Sequence, residues 1–598
     1  MTNHKTPGEV YNHQADLHAT ALKQLKIKKS NLGWLRLILG LAVISIIYYL
    51  FFNSSLVVWV TVAIAIAIFL SVVSIDADNN AKIAGTERLL DINNQEVAIL
   101  AGDYYKREDG HNYLPEEHPY AADIDLFGRA SIYQYINRCT SEQSKKSLAS
   151  LLLHSSEKSS IPERQEAAKA LAEHIEWRQE LQSSGMATPV TLATEQRITS
   201  WLNMPAPLTH NFWKVLPHVF TTITLGVAVA YIFDWIPSAA FSFLVFIFFL
   251  VALLISAKVN TTYLALSKLG GELNTVEQQL RQVEVIPASS SLLDSYKHFL
   301  LSEKKGSGSI KELKEIIQRF DYRLNVFVFV VLNTFLLWDV RQTNSLVKWK
   351  AANGTYVPQW FSILANIEIL NTLAAITFNH PGWVFPVINN AHFTFSGEDV
   401  GHPLIDEKKR VNNSFETKGT GKVSVITGSN MAGKSTFLRS IAVNLVLAQI
   451  GAPVCAKRFT FSPVKLYSSM RIADNLAENT STFYAELKKL KSIIDQVKQH
   501  EKVFILLDEI LRGTNSLDRH TGSEALIKQL IREQAVAVIA THDVELAALE
   551  NEFSNAITNY HFDVQVEGEE LYFDYKLKGG VCQSMNASLL MKKIGIEI

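Results

Sequence analysis

The chain has 598 residues, of which 48% are hydrophobic and only 19% are charged, and its formal net charge is -1. This balance excludes a whole-surface attraction to nucleic acid, so any such contact must come from a local patch. Three cysteines lie far apart along the chain, which excludes a disulfide framework and favours a reducing compartment for the soluble parts. The length predicts roughly three or four domain-sized units.

Two pairs of long apolar runs are the first features along the chain. Residues 35–52 and 56–75 form one pair, residues 215–233 and 236–257 form the other, and a very short turn joins each pair. Each run is about as long as a helix that crosses a bilayer. Buried hairpins of a large soluble core are the alternative, but apolar runs of this length are rare in such cores. The pattern predicts two transmembrane helical hairpins.

Lysine and arginine residues flank both hairpins and are absent from their tight turns. The positive-inside rule therefore predicts a multi-pass protein of the cytoplasmic (inner) membrane, with the lipid bilayer as a partner and the soluble segments facing the cytoplasm. A further apolar run at 326–338 is shorter than a bilayer requires. Its length favours a core helix, and a fifth span is the alternative.

The remaining segments differ in their hydrophobic periodicity. Apolar residues recur at helical spacing between and after the hairpins, which predicts two helical regions. From about residue 401, short β-rich runs alternate with helical ones, which predicts a parallel sheet with crossover helices. The predicted order is a cytoplasmic segment, a hairpin, a helical region, a hairpin, a second helical region and an α/β domain, at 1–33, 34–75, 76–210, 211–257, 258–395 and 396–598.

A phosphate-binding loop lies in the last of these domains, within the sequence TGSNMAGKSTFLRS. Residues 428–435 fit the pattern G-x-x-x-x-G-K-[ST], between an apolar strand and a helical run, as this loop requires. The glycines let backbone N–H groups converge on phosphates, Lys434 is expected to reach the β- and γ-phosphates, and Ser435 is expected to bind Mg²⁺. The predicted nucleotide-binding residues of the loop are Gly428, Ser429, Asn430, Met431, Ala432, Gly433, Lys434, Ser435 and Thr436.

Two further predicted strands end in side chains that suit nucleotide hydrolysis. The strand VFILLDEI ends in Asp508, a predicted Mg²⁺ ligand with Ser435, and Glu509, predicted to activate water. The strand AVAVIATHD ends beside His542, whose imidazole is positioned to sense a γ-phosphate. ATP and Mg²⁺ are therefore the predicted cofactors, and Glu509 and His542 are the predicted catalytic residues.

Four features in chain order give these motifs a family likeness. They are the Asn430-Met431 pair inside the phosphate loop, STFYAEL at 481–487, DEILRGTNSLD at 508–518 and ATH at 540–542. With these residues, the region strongly resembles the ATPase domain of the MutS family, the DNA mismatch-repair clamps. The ATPases of ABC transporters are the alternative, but the sequence has no segment resembling LSGGQ.

The likeness extends beyond the central motifs. GHPLI at 401–405 and VNN at 411–413 resemble the family's entry into this domain, and the sequence from YKLKGG onward at 575–596 resembles its closing strand and helix. A weaker likeness to the family's helical core rests on Phe127, Gly128, Asn137, Thr140, Arg164 and Gln165.

This resemblance implies an α/β P-loop NTPase domain of the ABC/MutS type at the C-terminus. An all-α region similar to the MutS core, with the two transmembrane hairpins, is expected to precede it. The resemblance also implies a homodimer through the ATPase domains, in which Ser481 and Thr482 reach the ATP of the opposite subunit and Asn430 responds to the γ-phosphate. Two departures stand out: Ala432 replaces the family's usual glycine, and the soluble chain before the core is too short for a mismatch-reading domain.

Two functions fit these features. The first is a membrane-anchored, dimeric MutS-like ATPase that couples ATP hydrolysis to binding of mismatched or structured DNA. The second is an ATP-driven membrane protein that acts on a protein partner or on its own membrane helices without DNA.

Overall fold

The computed structural model describes residues 5–582 except for 53–55, 155–156, 209, 303–305, 430, 472–481, 500–501 and 568–569. The helices come first along the chain and the strands belong to its last third. The helices are α1 Pro7–Phe52, α2 Leu56–Leu100, α3 Ile132–Ile136, α4 Glu142–Leu153, α5 Ser160–Ala172, α6 Ile175–Gly185, α7 Leu192–Asn203, α8 Phe212–Ile232, α9 Ser238–Leu266, α10 Gly270–Glu284, α11 Ser291–Leu301, α12 Ser307–Asp321, α13 Val326–Leu336, α14 Trp338–Asn353, α15 Val357–Asn379, α16 Lys434–Ile450, α17 Thr482–Lys498, α18 Ser516–Arg532 and α19 Leu549–Glu552.

The strands form two separate sheets. Their bounds are β1 Val387–Ile388, β2 Thr394–Val400, β3 Asn413–Lys418, β4 Val423–Thr427, β5 Arg458–Phe461, β6 Lys465–Ser469, β7 Val503–Asp508, β8 Val536–Thr541, β9 Ile557–Glu567 and β10 Glu570–Gly579.

The first apolar hairpin consists of α1 and α2, which have 46 and 45 residues. At 1.5 Å per residue, each helix is roughly 70 Å long, which is far more than a bilayer needs. The two helices pack along one another. An ion pair between Arg36 and Asp76 joins them where the apolar runs begin and end. No break in either helix marks the predicted boundaries at residues 33 and 75, because both helices continue into the polar part of the molecule.

The second apolar hairpin consists of α8 and α9. The predicted apolar run after it splits into α13 and α14, which meet at an angle of 79°. Leu337 lies at the bend with φ 47°. Among the described residues, five helices are long and apolar enough to cross a membrane: α1, α2, α8, α9 and α15. In α15, however, 78% of its apolar 18-residue stretch is buried inside the protein. This helix therefore forms the centre of the helical core.

The helical core surrounds α15 and holds it by polar contacts as well as by apolar packing. Glu368 of α15 is buried, and its carboxylate accepts hydrogen bonds from the backbone N–H of Thr140 at 2.7 Å and the side chain of Gln279 at 2.7 Å. Ser141 caps α4 by accepting from the N–H of Ser144. The predicted helical character of both regions is confirmed.

The larger sheet has the strand order β10-β9-β4-β8-β7-β6. Neighbouring strands from β9 to β6 are parallel, and β10 pairs antiparallel with β9 at the edge. The predicted α/β domain is therefore confirmed, with an antiparallel edge strand in addition to the parallel ones. The smaller sheet, with the order β1-β5-β2-β3, is absent from the sequence-based prediction. The strand predicted to close the domain is β10, and the predicted closing helix lies outside the described residues.

This topology decides where the functional side chains meet. Strands β4, β8 and β7 lie side by side and run in the same direction. Their carboxyl ends therefore share one edge of the sheet, which is the usual ligand-binding edge of an open parallel sheet.

Candidate nucleotide site

The loop between β4 and α16, which is predicted to bind phosphate, contains several residues with left-handed backbone angles. Gly428, Met431 and Gly433 all have positive φ angles, of 149°, 73° and 105°. A Cβ atom at Gly428 would lie 2.7 Å from the carbonyl oxygen of Phe562, so both backbone freedom and space require glycine there. Gly433 is the N-cap of α16, whose positive helix end therefore faces the loop.

Ala432 is accommodated within this loop without visible strain. It is buried and lies outside the residues with positive φ. Its methyl group packs in the same apolar cluster as Phe437 of α16. The departure from glycine at this position is thus compatible with the loop geometry.

Lys434 is the first residue of α16 and lies folded over the loop. Its ammonium group donates to the carbonyl oxygens of Gly428 at 2.6 Å and Ser429 at 2.9 Å. Burial lowers the pKa of Lys434, and the nearby carboxylates of Glu509 and Asp508 oppose that effect. A cation held between the loop and two carboxylates is placed where a triphosphate chain would enter.

Asp508 ends β7 and is 6% exposed. Burial raises its pKa, although a hydrogen bond from Ser435 works in the opposite direction. Its Oδ1 atom has no hydrogen-bond partner among the described residues. A buried carboxylate oxygen without a partner, next to a serine hydroxyl, fits the oxygen-rich coordination that Mg²⁺ requires.

Glu509 follows directly and is held in a left-handed conformation with φ 52°. Its backbone N–H donates to the carbonyl of Ala540 in β8 at 2.8 Å, which ties the turn after β7 to the neighbouring strand. One carboxylate oxygen lies 3.6 Å from Nδ1 of His542, and the other lies 3.2 Å from Nε of Arg512. The structure therefore brings the predicted pair, Glu509 and His542, together.

Arg512 and Glu486 are functional candidates to which the sequence analysis assigned no role. Arg512 donates through Nη2 to the carbonyl of Asp508 at 3.1 Å. It therefore stabilises the turn that contains Asp508 and Glu509. Glu486 lies in α17 and accepts from the backbone N–H groups of Leu511 and Arg512. Burial raises the pKa of Glu486, and those two N–H groups oppose the rise. Glu486 lies within the motif STFYAEL and Arg512 within DEILRGT, so these motifs could have identified both residues as candidates.

A cavity of about 420 Å³ opens beside the loop and is large enough for a nucleoside. His402 lies in its wall, and burial lowers the pKa of this histidine to about 4, so the ring is neutral near pH 7. The wall includes residues of GHPLI, VNN, the phosphate loop and β10: Val400, His402, Ile405, Lys409, Arg410, Val411, Asn413, Ser429, Met431, Gly433, Lys434, Ser435, Thr436, Phe437, Ser440, Glu509 and Tyr575.

Some predicted site residues lie outside the described part of the chain. These are Asn430 and Ser481, together with the side chain of Thr482, whose backbone begins α17. Their contacts with nucleotide therefore stay predictions.

The helical core contacts the α/β domain through the segment DIDLFG. Asp123 is buried and accepts from Nζ of Lys489 at 2.7 Å and from the hydroxyl of Ser468 at 2.6 Å. Asp125 lies 3.5 Å from Arg439 of α16, the helix that begins in the phosphate loop. The sequence analysis missed these contacts because the partners lie more than 300 positions apart along the chain.

The comparison with family models matches residues 424–593 to MutS domain V. This region of the chain is therefore similar to MutS domain V. Curated relatives include the DNA mismatch repair protein MutS of Persephonella marina, which is 32% identical over 235 residues, and that of Thermotoga neapolitana, 34% identical over 242 residues. MutS protein homolog 4 of Homo sapiens is 33% identical over 199 residues.

These likenesses cover only part of each protein. The matches span 39% of this chain for the two bacterial MutS proteins and 31% for the human homologue. In the other direction they span 26%, 29% and 21% of the relatives, which is under a third of their length. The family-model match lies at residues 424–593, and both apolar hairpins lie outside that range.

Proposed function

We propose that the protein is a membrane-anchored MutS-type ATPase that hydrolyses ATP with Mg²⁺. The observation that carries this proposal is the convergence of Lys434, Ser435, Asp508 and Glu509 at one edge of the sheet, with an unpartnered carboxylate oxygen among them. This arrangement is suited to phosphoryl transfer, in which catalysis consists mainly of positioning and charge stabilisation.

Each residue has a distinct role in this proposal. The loop N–H groups and Lys434 would bind the phosphates, while Ser435 and Asp508 would hold Mg²⁺, which would supply positive charge to the phosphate oxygens. Glu509 orients and deprotonates the attacking water, and its position is fixed by the backbone bond to Ala540. His542, beside Glu509, contacts the γ-phosphate region.

We further propose that two copies pair through their ATPase domains, as the resemblance to the family implies. Met431, within the phosphate loop, is 76% exposed, so the loop surface is accessible to a second copy. Mass measurement of the detergent-solubilised protein with an ATP analogue tests this pairing. A strictly monomeric protein with full ATPase activity contradicts it.

The membrane part of the proposal rests on the surfaces of the two apolar hairpins. Large apolar side chains such as Ile38, Leu41 and Ile64 on the first hairpin, and Phe243 and Leu254 on the second, are mostly exposed. Apolar belts of this size are unusual on soluble proteins and match a lipid environment. In the first hairpin, the Arg36–Asp76 pair marks the cytoplasmic edge, because roughly 24–30 Å of helix remains beyond it.

The first candidate for the coupled activity is binding of mismatched or structured DNA, which is supported by the similarity to proteins named for DNA mismatch repair. A second candidate is movement of the protein's own membrane helices. It is favoured by a hydrogen-bonded path between the first hairpin and α15: Tyr11 donates to Asn379 at 2.8 Å, and Asn379 donates to Glu96 at 2.8 Å. Asn379 is the last residue of α15, which directly precedes the strands of the α/β domain along the chain.

One experiment separates the two candidates. ATP turnover of the full chain in lipid vesicles is measured with and without duplex, mismatched and branched DNA at two salt concentrations. Stimulation that weakens with salt supports the DNA function, since phosphate contacts release counterions. Turnover that no DNA changes, with no retention on DNA, removes the DNA function and leaves coupling to the membrane helices.

A further inference from the structure

The segment around α13 differs from both apolar hairpins, and its two ends meet. Arg323, just before α13, and Asp339, just after it, both contact Ser256 of α9. Arg323 donates to the Ser256 hydroxyl at 3.4 Å, and that hydroxyl donates to Asp339. Arg323 and Asp339 lie 3.6 Å apart. We call these three residues the Ser256 clasp.

A second set of contacts closes the same loop. The indole N–H of Trp338 donates to the carbonyl of Arg319 at 2.8 Å, and the Trp338 ring stacks on Tyr322. The chain therefore leaves α12, passes through α13 and returns to the end of α12. A segment that crossed a bilayer would have its two ends about 30 Å apart, so this one does not cross.

The surface of α13 is nevertheless strongly apolar. Phe327 is 85% exposed and Val326 is 70% exposed, and Leu324 and Val331 are also exposed. Residues 324–336 include no charged side chain. With 11 residues, α13 is roughly 16 Å long, about half the thickness of the hydrocarbon layer.

Backbone groups at both ends of α13 find partners within the protein, which insertion into lipid favours. The side chain of Asn325 accepts from the N–H groups of Phe327 at 3.1 Å and Val328 at 3.3 Å. At the other end, the carbonyl of Phe335 accepts from the Thr224 hydroxyl at 2.8 Å. The carbonyl of Leu336 accepts from Nε of Arg341 at 2.9 Å.

We propose that α13 is a re-entrant membrane element that enters the cytoplasmic leaflet beside the second apolar hairpin and leaves on the same side. The occupant of its apolar face is the lipid bilayer, because α13 packs directly on α8 and α9 and extends their exposed apolar surface. This inference rests on the proposed membrane attachment of that hairpin. The Ser256 clasp holds both ends of α13 at the cytoplasmic edge.

The experiment uses full-length protein in phosphatidylcholine vesicles, with the native cysteines replaced by alanine and ATP turnover retained. An environment-sensitive fluorophore is attached to Phe327→Cys, and its quenching is compared between aqueous iodide and lipids that carry a nitroxide near the headgroup. Glu315→Cys on α12 is the water-exposed control, and Ile232→Cys at the end of α8 is the membrane control. The proposal predicts several-fold protection of Phe327→Cys from iodide relative to Glu315→Cys, with strong quenching by the lipid nitroxide.

Sidedness is measured on the same vesicles with a membrane-impermeant maleimide at Lys311→Cys and Lys348→Cys, which flank α13. The proposal predicts that both positions react from the same side, and reaction from opposite sides overturns it. Equal iodide quenching of Phe327→Cys and Glu315→Cys also overturns it if Ile232→Cys remains protected. If Ile232→Cys is itself quenched by iodide, membrane attachment of the second hairpin fails and the re-entrant proposal fails with it.

The clasp itself is tested with Asp339→Asn against Asp294→Asn, a change on α11 that is remote from α13. Loss of the clasp is expected to increase iodide quenching at Phe327→Cys and leave quenching at Ile232→Cys unchanged. No change at Phe327→Cys in a folded Asp339→Asn variant contradicts the role given to the clasp.

Discussion

Two clusters of buried charge in this protein differ in how their polar atoms are satisfied. In the helical core, Arg138 donates to both carboxylate oxygens of Glu96, at 2.6 and 2.8 Å, and Asn379 donates to the same carboxylate. At the nucleotide site, Oδ1 of Asp508 and Nδ1 of His542 have no hydrogen-bond partner among the described residues. We call the Arg138–Glu96–Asn379 group, whose charged atoms have partners, the closed cluster. We call the Asp508–Glu509–His542 group, which contains these two unpartnered atoms, the open cluster.

The pKa values of the Asp508 and Glu96 carboxyl groups, one in each cluster, are shifted in opposite directions. Burial raises the pKa of Asp508. Burial works in the same direction on Glu96, but the Arg138 guanidinium outweighs it and lowers the pKa of Glu96 to about 2. The comparison teaches that the Glu96 carboxylate, whose partners come from other helices, joins elements of the fold, whereas the Asp508 carboxylate keeps an oxygen that a ligand could use.

The largest effect is expected when the open cluster loses its water-activating group. Glu509→Gln keeps the size of the side chain and removes its basicity, so ATP turnover should fall about 10²- to 10⁴-fold while ATP binding persists. Turnover and binding of a fluorescent ATP analogue are measured on the full chain. Glu545→Gln, an exposed change near His542, should leave turnover unaltered, and wild-type turnover in Glu509→Gln would refute the assignment.

Breaking the closed cluster should affect stability rather than chemistry. Arg138→Met leaves the buried Glu96 without its cation, which should lower the free energy of unfolding by about 3–5 kcal/mol. Denaturant unfolding of the detergent-solubilised protein measures this loss. Lys26→Met removes a partner of Glu87 from an exposed ion pair at the base of the same hairpin and should cost at most about 1 kcal/mol. Equal losses in the two variants are incompatible with a structural role for the closed cluster.

Removing the phosphate-binding cation should weaken nucleotide binding itself. Lys434→Met abolishes a charged donor to the phosphates, which corresponds to about 1.5–3 kcal/mol, or roughly 10- to 100-fold in affinity. Equilibrium titration with the fluorescent ATP analogue measures the change. Lys422→Met, at the opposite end of β4, serves as the control, and unchanged affinity in Lys434→Met contradicts the proposed phosphate contact.

Lowering the pH should impair the open cluster at a higher pH than the closed cluster. Because the pKa of Asp508 is raised, a proton competes with Mg²⁺ at higher pH than at an ordinary aspartate. The stability that Glu96 contributes is present above its unfolded pKa, near 4.5, and is lost only as the pH falls through about 2. Mg²⁺-dependent nucleotide binding should therefore decline before the protein unfolds, as measured by titration and thermal melting across pH. Unfolding that precedes the loss of binding contradicts this order.

The sequence allowed the residues of the candidate nucleotide site to be placed at the ends of strands. Lys434 comes after β4, Asp508 ends β7 and His542 follows β8, so local patterns were sufficient for this placement. The strand order, with β8 between β4 and β7, depends on contacts between distant segments that no local pattern encodes. The same limit applies to Asp123 and Lys489, whose ion pair joins the helical core to the α/β domain.

The apolar runs allowed the helices of both hairpins to be predicted, but not where those helices begin and end. Helix α2 continues to Leu100 because a polar helical segment follows the apolar run without a stop signal. The run at 326–338 looked continuous, yet Leu337 adopts a left-handed conformation that divides it. Asn333 binds Asp339 across the bend, and Asp339 also accepts from Ser256 of α9, a long-range contact that no local pattern encodes.

The most direct test of the central claim is ATP hydrolysis by the full chain after flotation with lipid vesicles in a density gradient. The account predicts that folded protein floats with the vesicles and that Mg²⁺-dependent ATP turnover accompanies it, disappearing in Glu509→Gln protein that floats equally well. Folded protein that stays at the bottom of the gradient, or floated protein without ATP turnover, contradicts the account.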